Sequence, residues 1–176
     1  MINDQYAAGF FDGEGCVTAC IRGGASRRKS PTILVCISNT HRDILQAHQD
    51  RWGGSLCERG GKHKAKVLTG RWQRQFQWTL SARRAGPFLR AIAPHVVVKR
   101  QVVDAALRYI DLQALPYRQR MDYTRLVERG GRKWPSPSVR PEFRAKIMTI
   151  HDEIKSLNIR SAPMNAIRGE KWAHWA

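Results

Sequence analysis

Asp12 and Glu14 are two acidic residues that follow a short apolar segment, and Gly13 and Gly15 alternate with them. Carboxylate and carbonyl oxygens are the ligands that hard divalent cations such as Mg²⁺ prefer. The two glycines also predict that a helix ends here. An acid at a helix end is most often an exposed turn residue, so these residues alone do not establish a metal site.

The four cysteines are a second group that could bind metal or form disulfides. None forms a Cys-x-x-Cys pair, and no Cys/His set has zinc-finger spacing. A zinc-dependent module using Cys16, Cys20, Cys36 and a histidine stays an alternative, but the spacing favours reduced thiols in an intracellular protein. The start of the chain lacks the features of a signal peptide, and no run of about 18 apolar residues indicates a membrane span. We therefore expect an intracellular protein with no membrane partner.

The charge of the chain is strongly basic. Lys and Arg number 31 against 14 Asp and Glu, which gives a formal net charge of +17 and a pI near 10.7. Such an excess attracts a polyanion, because neutralising phosphates releases their counterions. A merely solvated basic surface is the alternative, but the size of the charge favours nucleic acid.

Alternation of side chains predicts strands with one polar face. Over residues 73–80, Phe76, Trp78 and Leu80 share one face, while three glutamines and Thr79 share the other. Glutamines are poor core material, so we expect their face to be exposed. With the strands over 16–22 and 32–38, the predicted exposed face includes Arg22, Thr32, Ser38, Gln73, Gln75, Gln77 and Thr79.

The order of predicted elements indicates an α+β fold. We expect helices over residues 3–12, 40–52, 85–93, 96–112 and 140–158, and strands over 16–22, 32–38, 55–59 and 73–80, with the phase of 55–59 left open. This order predicts a four-stranded antiparallel sheet backed by helices. We divide the chain into a core over residues 1–112 and a C-terminal extension over 113–176, which is helical around 140–158.

The segment from Ala7 to Gly15 resembles the motif of the LAGLIDADG homing endonucleases. It keeps Ala-Gly, an apolar pair, and then acid, small residue, acid and glycine, but it has Ala7 where Leu is usual. The predicted elements over residues 3–112 are similar to the αββαββα core of that family. Residues 37–40 resemble the strand end that supplies a polar active-site residue, and residues 94–99 resemble the segment that supplies the active-site lysine.

The resemblance implies a saddle-shaped sheet and a single-motif enzyme that acts as a homodimer. The motif helices of two subunits would pack together through Ala8, Gly9, Asp12 and Gly13. Glu14 and the Gly13 carbonyl would bind Mg²⁺, or Mn²⁺ or Ca²⁺ in its place. Lys99 would stabilise charge near the phosphate, and Asn39 would position a water molecule. An isologous dimer implies a near-palindromic target site.

The resemblance also implies that the sheet lies in the major groove of double-stranded DNA, where glutamine reads adenine and arginine reads guanine. We expect a site-specific endonuclease that makes double-strand breaks by metal-dependent hydrolysis, with no small-molecule substrate. The alternative is a non-cleaving protein of the same fold, an intron maturase or a DNA-binding regulator. The predicted DNA-binding residues are Thr18, Cys20, Arg22, Arg27, Arg28, Lys29, Thr32, Leu34, Cys36, Ser38, Lys62, Lys64, Lys66, Arg71, Gln73, Gln75, Gln77 and Thr79.

Overall fold

The structure is a computed structural model that describes residues 2–22, 30–59, 73–124, 126–129, 132–135 and 138–160. It confirms the α+β class. In chain order the elements are α1 (Asp4–Glu14), β1 (Gly15–Arg22), β2 (Ser30–Asn39), α2 (Arg42–Trp52), β3 (Ser55–Glu58), β4 (Phe76–Ser81), α3 (Ala82–Ile92), α4 (Arg100–Ala114), α5 (Tyr117–Arg120), β5 (Met121–Asp122), β6 (Leu126–Arg129), β7 (Arg132–Pro135), β8 (Ser138–Val139) and α6 (Pro141–Arg160).

Helix α1 is capped by Asn3 at its N-terminus and by Gly15 at its C-terminus. The side chain of Asn3 accepts a hydrogen bond from the Tyr6 amide at 2.8 Å, which satisfies one of the unpaired N–H groups of the first turn. The helix continues to Glu14, two residues beyond the predicted end, and the amide of Gly15 donates to the Phe11 carbonyl. Gly13 therefore belongs to the helix, and Gly15 ends it.

The central sheet has four antiparallel strands, as predicted, and their order is β1-β2-β4-β3. Its register settles the phase of β3, because Cys57 lies opposite Gln77 and Ser55 opposite Thr79. The predicted start of β4 at Gln73 is wrong, since the strand begins at Phe76. The reason is that the partners of β4 run out there: Phe76 pairs with Asn39 at the end of β2 and with Glu58 at the end of β3.

One face of the sheet, here called the inner face, packs against the helices. Val17, Ala19, Ile33, Val35, Ile37, Trp78 and Leu80 are buried on it, in one cluster with residues of α1, α2, α3 and α4. The Trp78 indole N–H donates to the Gly53 carbonyl at 2.8 Å, at the turn between α2 and β3. Gly54 has a φ of +97° in that turn and lies so close to β4 that an added Cβ would be 2.7 Å from the Thr79 carbonyl oxygen. The turn thus requires glycine.

The last helix, α6, also contributes to the core. The predicted helix around 140–158 is confirmed, and its apolar residues Phe143, Ile147, Ile150 and Ile154 are buried in the same cluster as the sheet. Near its end, the Asn158 amide donates to the Val17 carbonyl of β1 at 2.8 Å. Because β1 is an edge strand, this bond satisfies an acceptor that no neighbouring strand reaches. None of the helices in the described part of the chain has the length and apolar character needed to cross a membrane.

Candidate functional site

Glu14 lies exposed at the C-terminal end of α1. Among the described residues, no hydrogen bond or ion pair engages its carboxylate. Gly13 precedes it in the last turn of the helix, where main-chain carbonyls have no intrahelical partner. The Glu14 carboxylate and the Gly13 carbonyl are hard oxygen donors of the kind suited to Mg²⁺ or Ca²⁺.

Asp12 has a different role, because its carboxylate is already occupied. It accepts hydrogen bonds from the amides of Val97 at 2.7 Å, Val98 at 3.2 Å and Lys99 at 3.0 Å. These three amides immediately precede α4. The bonds therefore join the end of α1 to the start of α4, two segments more than 80 residues apart in the sequence.

Lys99 completes that junction from the other side. Its ammonium donates to the Phe11 carbonyl at 3.1 Å and also to the carbonyl of Asp12. A cation at a helix C-terminus interacts favourably with the partial negative charge there. Burial lowers the pKa of Lys99, and the negative charges of Asp12, Cys16 and Glu14 act in the opposite direction. Lys99 therefore lies within electrostatic reach of Glu14.

Cys16 and Cys36 lie opposite each other in the register of β1 and β2. A hydrogen bond from the Cys36 thiol, aided by Thr18 and by the charges of Lys99 and Arg59, lowers the pKa of Cys16 to about 6 against the effect of burial. The same bond and burial raise the pKa of Cys36. In the described part of the chain, no three or more His, Cys, Asp or Glu side chains converge on a metal-sized space.

Asn39 ends β2, two residues after Ile37, which pairs with Gly15 at the start of β1. Its side-chain oxygen accepts a hydrogen bond from the His41 amide at 2.9 Å, in the turn that leads into α2. This contact fixes the side chain and leaves its amide nitrogen as a donor for another group.

The face of the sheet that is turned away from the helices, here called the outer face, carries most of the predicted DNA-binding residues that the structure describes. Pairing places Thr18 opposite Leu34, Cys20 opposite Thr32, and Ser38 opposite Gln77. Gln73 and Gln75 precede β4 and do not belong to its ladder. The members of the outer face are Cys16, Thr18, Cys20, Thr32, Leu34, Cys36, Ser38, Ser55, Cys57, Gln77, Thr79 and Ser81.

Arg59 is a residue of this face that the sequence analysis missed. It follows β3, its amide donates to the Gln75 carbonyl at 2.8 Å, and its charge acts on both Cys16 and Cys36. Cys57 and Arg59 are two residues apart, so in a strand they lie on the same face. The sequence did not show which face of β3 is exposed, so Arg59 could not be assigned to the outer face. The other basic residues predicted to bind DNA lie outside the described residues: Arg27, Arg28, Lys29, Lys62, Lys64, Lys66, Arg71 and the side chain of Arg22.

The surface of α1 that was predicted to contact a second subunit consists of Gly9 and Gly13. Both are exposed, and nothing lies within 4 Å of the position that a Cβ would take on either. Ala8, which was assigned to the same contact, is instead fully buried in the chain's own core. The helix packs on the sheet through Ala7, Ala8 and Phe11, so Ala8 has no side-chain surface left for a partner.

Comparison with known proteins gives structural matches. No protein-family model and no curated protein sequence matches the chain. The homing endonuclease I-CvuI, in complex with its target in the presence of Ca, is similar with a TM-score of 0.61 and 16% identity over 88% of this chain and 80% of I-CvuI. The archaeal intron-encoded homing endonuclease I-Vdi141I, complexed with DNA, has a TM-score of 0.61 and 12% identity over 88% of this chain and 82% of its own. The LAGLIDADG homing endonuclease I-GzeII, in complex with its DNA target, has a TM-score of 0.52 and 13% identity over 99% of this chain and 50% of I-GzeII.

Proposed function

The chain has the fold of the LAGLIDADG homing endonucleases, and from this premise we propose that it is a DNA endonuclease. It would act as a homodimer that makes double-strand breaks in a long, near-palindromic site, with a divalent metal. The observation that carries the proposal is the exposed carboxylate of Glu14, which makes no hydrogen bond or ion pair with the part of the chain that the structure describes and lies at the end of α1 within reach of the Lys99 charge. The outer face of the sheet begins directly after Glu14, at Cys16.

The ligands of a metal would come from Glu14 and the Gly13 carbonyl. Hard divalent cations suit these oxygens, and I-CvuI has been solved with Ca and with Mg. When bound, such an ion supplies Lewis acidity toward a phosphate and lowers the pKa of a water molecule. Glu14 and the Gly13 carbonyl are too few ligands to hold a divalent cation by themselves. This favours a metal site to which two copies of the chain each contribute a Glu14 carboxylate.

Two residues of the junction would act on the phosphate and on water. Two of the three donors of the Lys99 ammonium bind the carbonyls of Phe11 and Asp12, and the third would stabilise negative charge on the scissile phosphate. The amide nitrogen of Asn39 would hold a water molecule in place. Asp12 would act as a positioning residue, because its three bonds fix the segment that carries Lys99.

The homodimer is supported by the size of the chain and by the surface of α1. This chain aligns with half of I-GzeII. That ratio is expected if two copies of this chain together correspond to one chain of I-GzeII. Exposed Gly9 and Gly13 would let a second α1 approach closely, since small residues allow helix backbones to meet. Val97 and Val98, which are 80% and 79% exposed beside Asp12, would add apolar area to that contact.

The net charge of +17 supports DNA as the partner, and two chains double it to +34. Gln77 and Arg59 would read base edges close to the scissile bonds, because both lie at the end of the sheet that is nearest to Glu14. The basic segments over residues 23–29 and 60–71 would bind the phosphate backbone.

The deciding experiment compares Glu14→Gln with the wild-type protein on a site selected from a randomised duplex library in Mg²⁺. We expect cleavage to fall by at least about a hundredfold, the loss seen when one group that stabilises a transition state is removed. DNA affinity and the melting temperature should stay nearly unchanged, since the Glu14 carboxylate makes no hydrogen bond or ion pair with any of the described residues. Chelation with EDTA should stop cleavage by the wild type, and Mg²⁺ should restore it.

Glu128→Gln is the matched control, because Glu128 is also an exposed acid but lies in β6. It should cleave at the wild-type rate. Cleavage by Glu14→Gln at the wild-type rate would contradict the proposed role of Glu14. A wild-type protein that binds a specific duplex and never cuts it would favour the non-cleaving alternative, an intron maturase or a DNA-binding regulator.

A further inference from the structure

We propose that a charge-free strip in the middle of the outer face recognises the 5-methyl groups of thymines in the target DNA. The inference rests on the proposed function and names a base preference that the function alone does not supply. The strip, here called the thymine strip, consists of Thr18 and Cys20 on β1 and Thr32, Leu34 and Cys36 on β2.

The register places these five side chains side by side. Thr18 lies opposite Leu34, and Cys20 lies opposite Thr32, while Cys36 continues the row toward Glu14. Thr18 is exposed, Cys20, Thr32 and Leu34 are half-buried, and Cys36 is buried. The accessible part of the strip therefore consists of Thr18, Cys20, Thr32 and Leu34, which present methyl, methylene, thiol and hydroxyl groups.

The chemistry of the strip differs from that of the face around it. Among the residues of this face whose side chains are described, amide and guanidinium groups, which make bidentate bonds to adenine and guanine, occur at the end near Glu14, in Gln77 and Arg59. The Thr32 side chain already makes a hydrogen bond with Tyr109, so the strip offers the Thr18 hydroxyl and the thiols, which are weak donors. Leu34 offers no hydrogen bond at all. What such a surface can contact in a major groove is the thymine methyl group, for which apolar side chains and the threonine methyl are suited.

Leu34 lines a surface pocket together with Thr79, Ser81 and Arg84, so a basic residue lies beside the strip. The preference for thymine would therefore come from contact of its methyl group with the side chains of the strip. An apolar protein segment is a weaker occupant for this face, because a chain of charge +17 attracts a polyanion over its whole surface.

The test uses the target selected from the randomised library and the wild-type protein. Each thymine of the half-site is replaced in turn by deoxyuridine, which removes only the 5-methyl group. Affinity is measured by fluorescence anisotropy in Ca²⁺, the ion present in the I-CvuI complex. We expect a group of neighbouring thymines at which affinity falls about fourfold per methyl group removed, the worth of one buried methylene.

Leu34→Ala assigns the effect to the strip, and Gln77→Ala is the matched control on the same face. In Leu34→Ala the deoxyuridine penalty should shrink at one or two of these positions, whereas in Gln77→Ala it should stay. The wild-type measurement needs no variant, so a folding defect in Leu34→Ala would leave the main result intact.

Two results would overturn the inference while leaving the proposed function in place. One is specific binding that is unaffected by deoxyuridine at every thymine, and the other is a selected site without a thymine in this part of the half-site. A protein that binds no duplex with sequence preference would overturn the proposed function as well.

Discussion

Gly13 and Gly15 lie two residues apart at the end of α1, and their surroundings are opposite. A Cβ on Gly15 would fall against the ring of Phe11 and lie 2.7 Å from the Phe11 carbonyl oxygen. A Cβ on Gly13, or on Gly9 one turn earlier, would meet nothing within 4 Å. The inner side of α1 thus uses glycine for close packing within the chain, whereas its outer side has glycines that the fold of one chain does not need. Gly15 is thus needed for the fold of the chain, whereas Gly9 and Gly13 are available for contact with another molecule.

The largest effect should come from Phe11→Ala, on the inner side. Phe11 is fully buried, and its ring packs edge-on against Phe88 with centroids 5.7 Å apart. We expect the free energy of unfolding to fall by about 3–5 kcal/mol, the usual loss for a buried aromatic side chain. Urea denaturation measures this change. Val98→Ala, which truncates an exposed apolar residue, should stay within about 0.5 kcal/mol of wild type, and equal losses in both variants would remove the distinction between the two sides.

Gly15→Ala should have the next largest effect, because the added methyl group has no room. The Phe11 ring and main chain would have to move, and overpacking costs about 1–3 kcal/mol of stability. In a protein that carries both Gly15→Ala and Phe11→Ala, the stability cost of the Gly15 substitution should be only partly relieved. The Phe11 substitution removes the ring but leaves the nearby carbonyl oxygen. A Gly15→Ala protein as stable as wild type in the same urea titration would show that the close approach is not required.

Gly9→Ala should have a smaller effect and the opposite sign. The helix interior gains up to about 1 kcal/mol when alanine replaces glycine, because less conformational entropy is lost on folding. If α1 contacts a second copy through this surface, the added methyl group should weaken dimerisation about tenfold. Sedimentation with and without DNA measures the second change. A variant that is more stable and dimerises as tightly as wild type would exclude Gly9 from the contact.

The smallest effect should come from pH, through His48 on the inner side. His48 is buried among Phe10, Trp52, Trp78 and Phe88, and burial lowers its pKa from the ordinary value of 6.5. The unfolded chain therefore binds a proton more readily, so stability is retained above pH 6.5 and falls as the pH drops below it.

His48→Phe should remove this part of the pH dependence. The comparison is between the melting temperatures of the two proteins from pH 7.5 to pH 5.5, and other titrating groups cancel because they are common to both. Parallel curves would mean that His48 does not titrate differently in the folded and unfolded states.

The sequence predicted those features that depend on local pattern. Alternation of Val17 and Ala19 with Cys16 and Thr18 identified β1 and both of its faces, and α6 was expected as a helix around 140–158. Asp12, Glu14 and Lys99 were found by resemblance to a motif. The three amides that Asp12 accepts could not be foreseen, because residues 97–99 come near it only in the folded chain.

The predictions that were wrong concern features of a helix or strand that depend on the elements packed or paired with it. The length of β4 depends on where β2 and β3 end, so the glutamine pattern extended the strand too far. The buried side of α1 depends on how the helix packs on the sheet. This packing buries Ala8 in the core, although Gly9 and Gly13 on the same helix are exposed. Arg59 was overlooked because a four-residue strand has too few alternations to set its own phase.

The bond between Asn158 and the Val17 carbonyl has a practical consequence for shortening this chain. A version cut after α4 would keep the motif and the sheet, yet it would leave the free edge of β1 open to pairing with other molecules and uncover the apolar surface under α6. Anyone who wants a smaller scaffold should therefore trim the short hairpins over residues 121–139 and retain the helix that follows them.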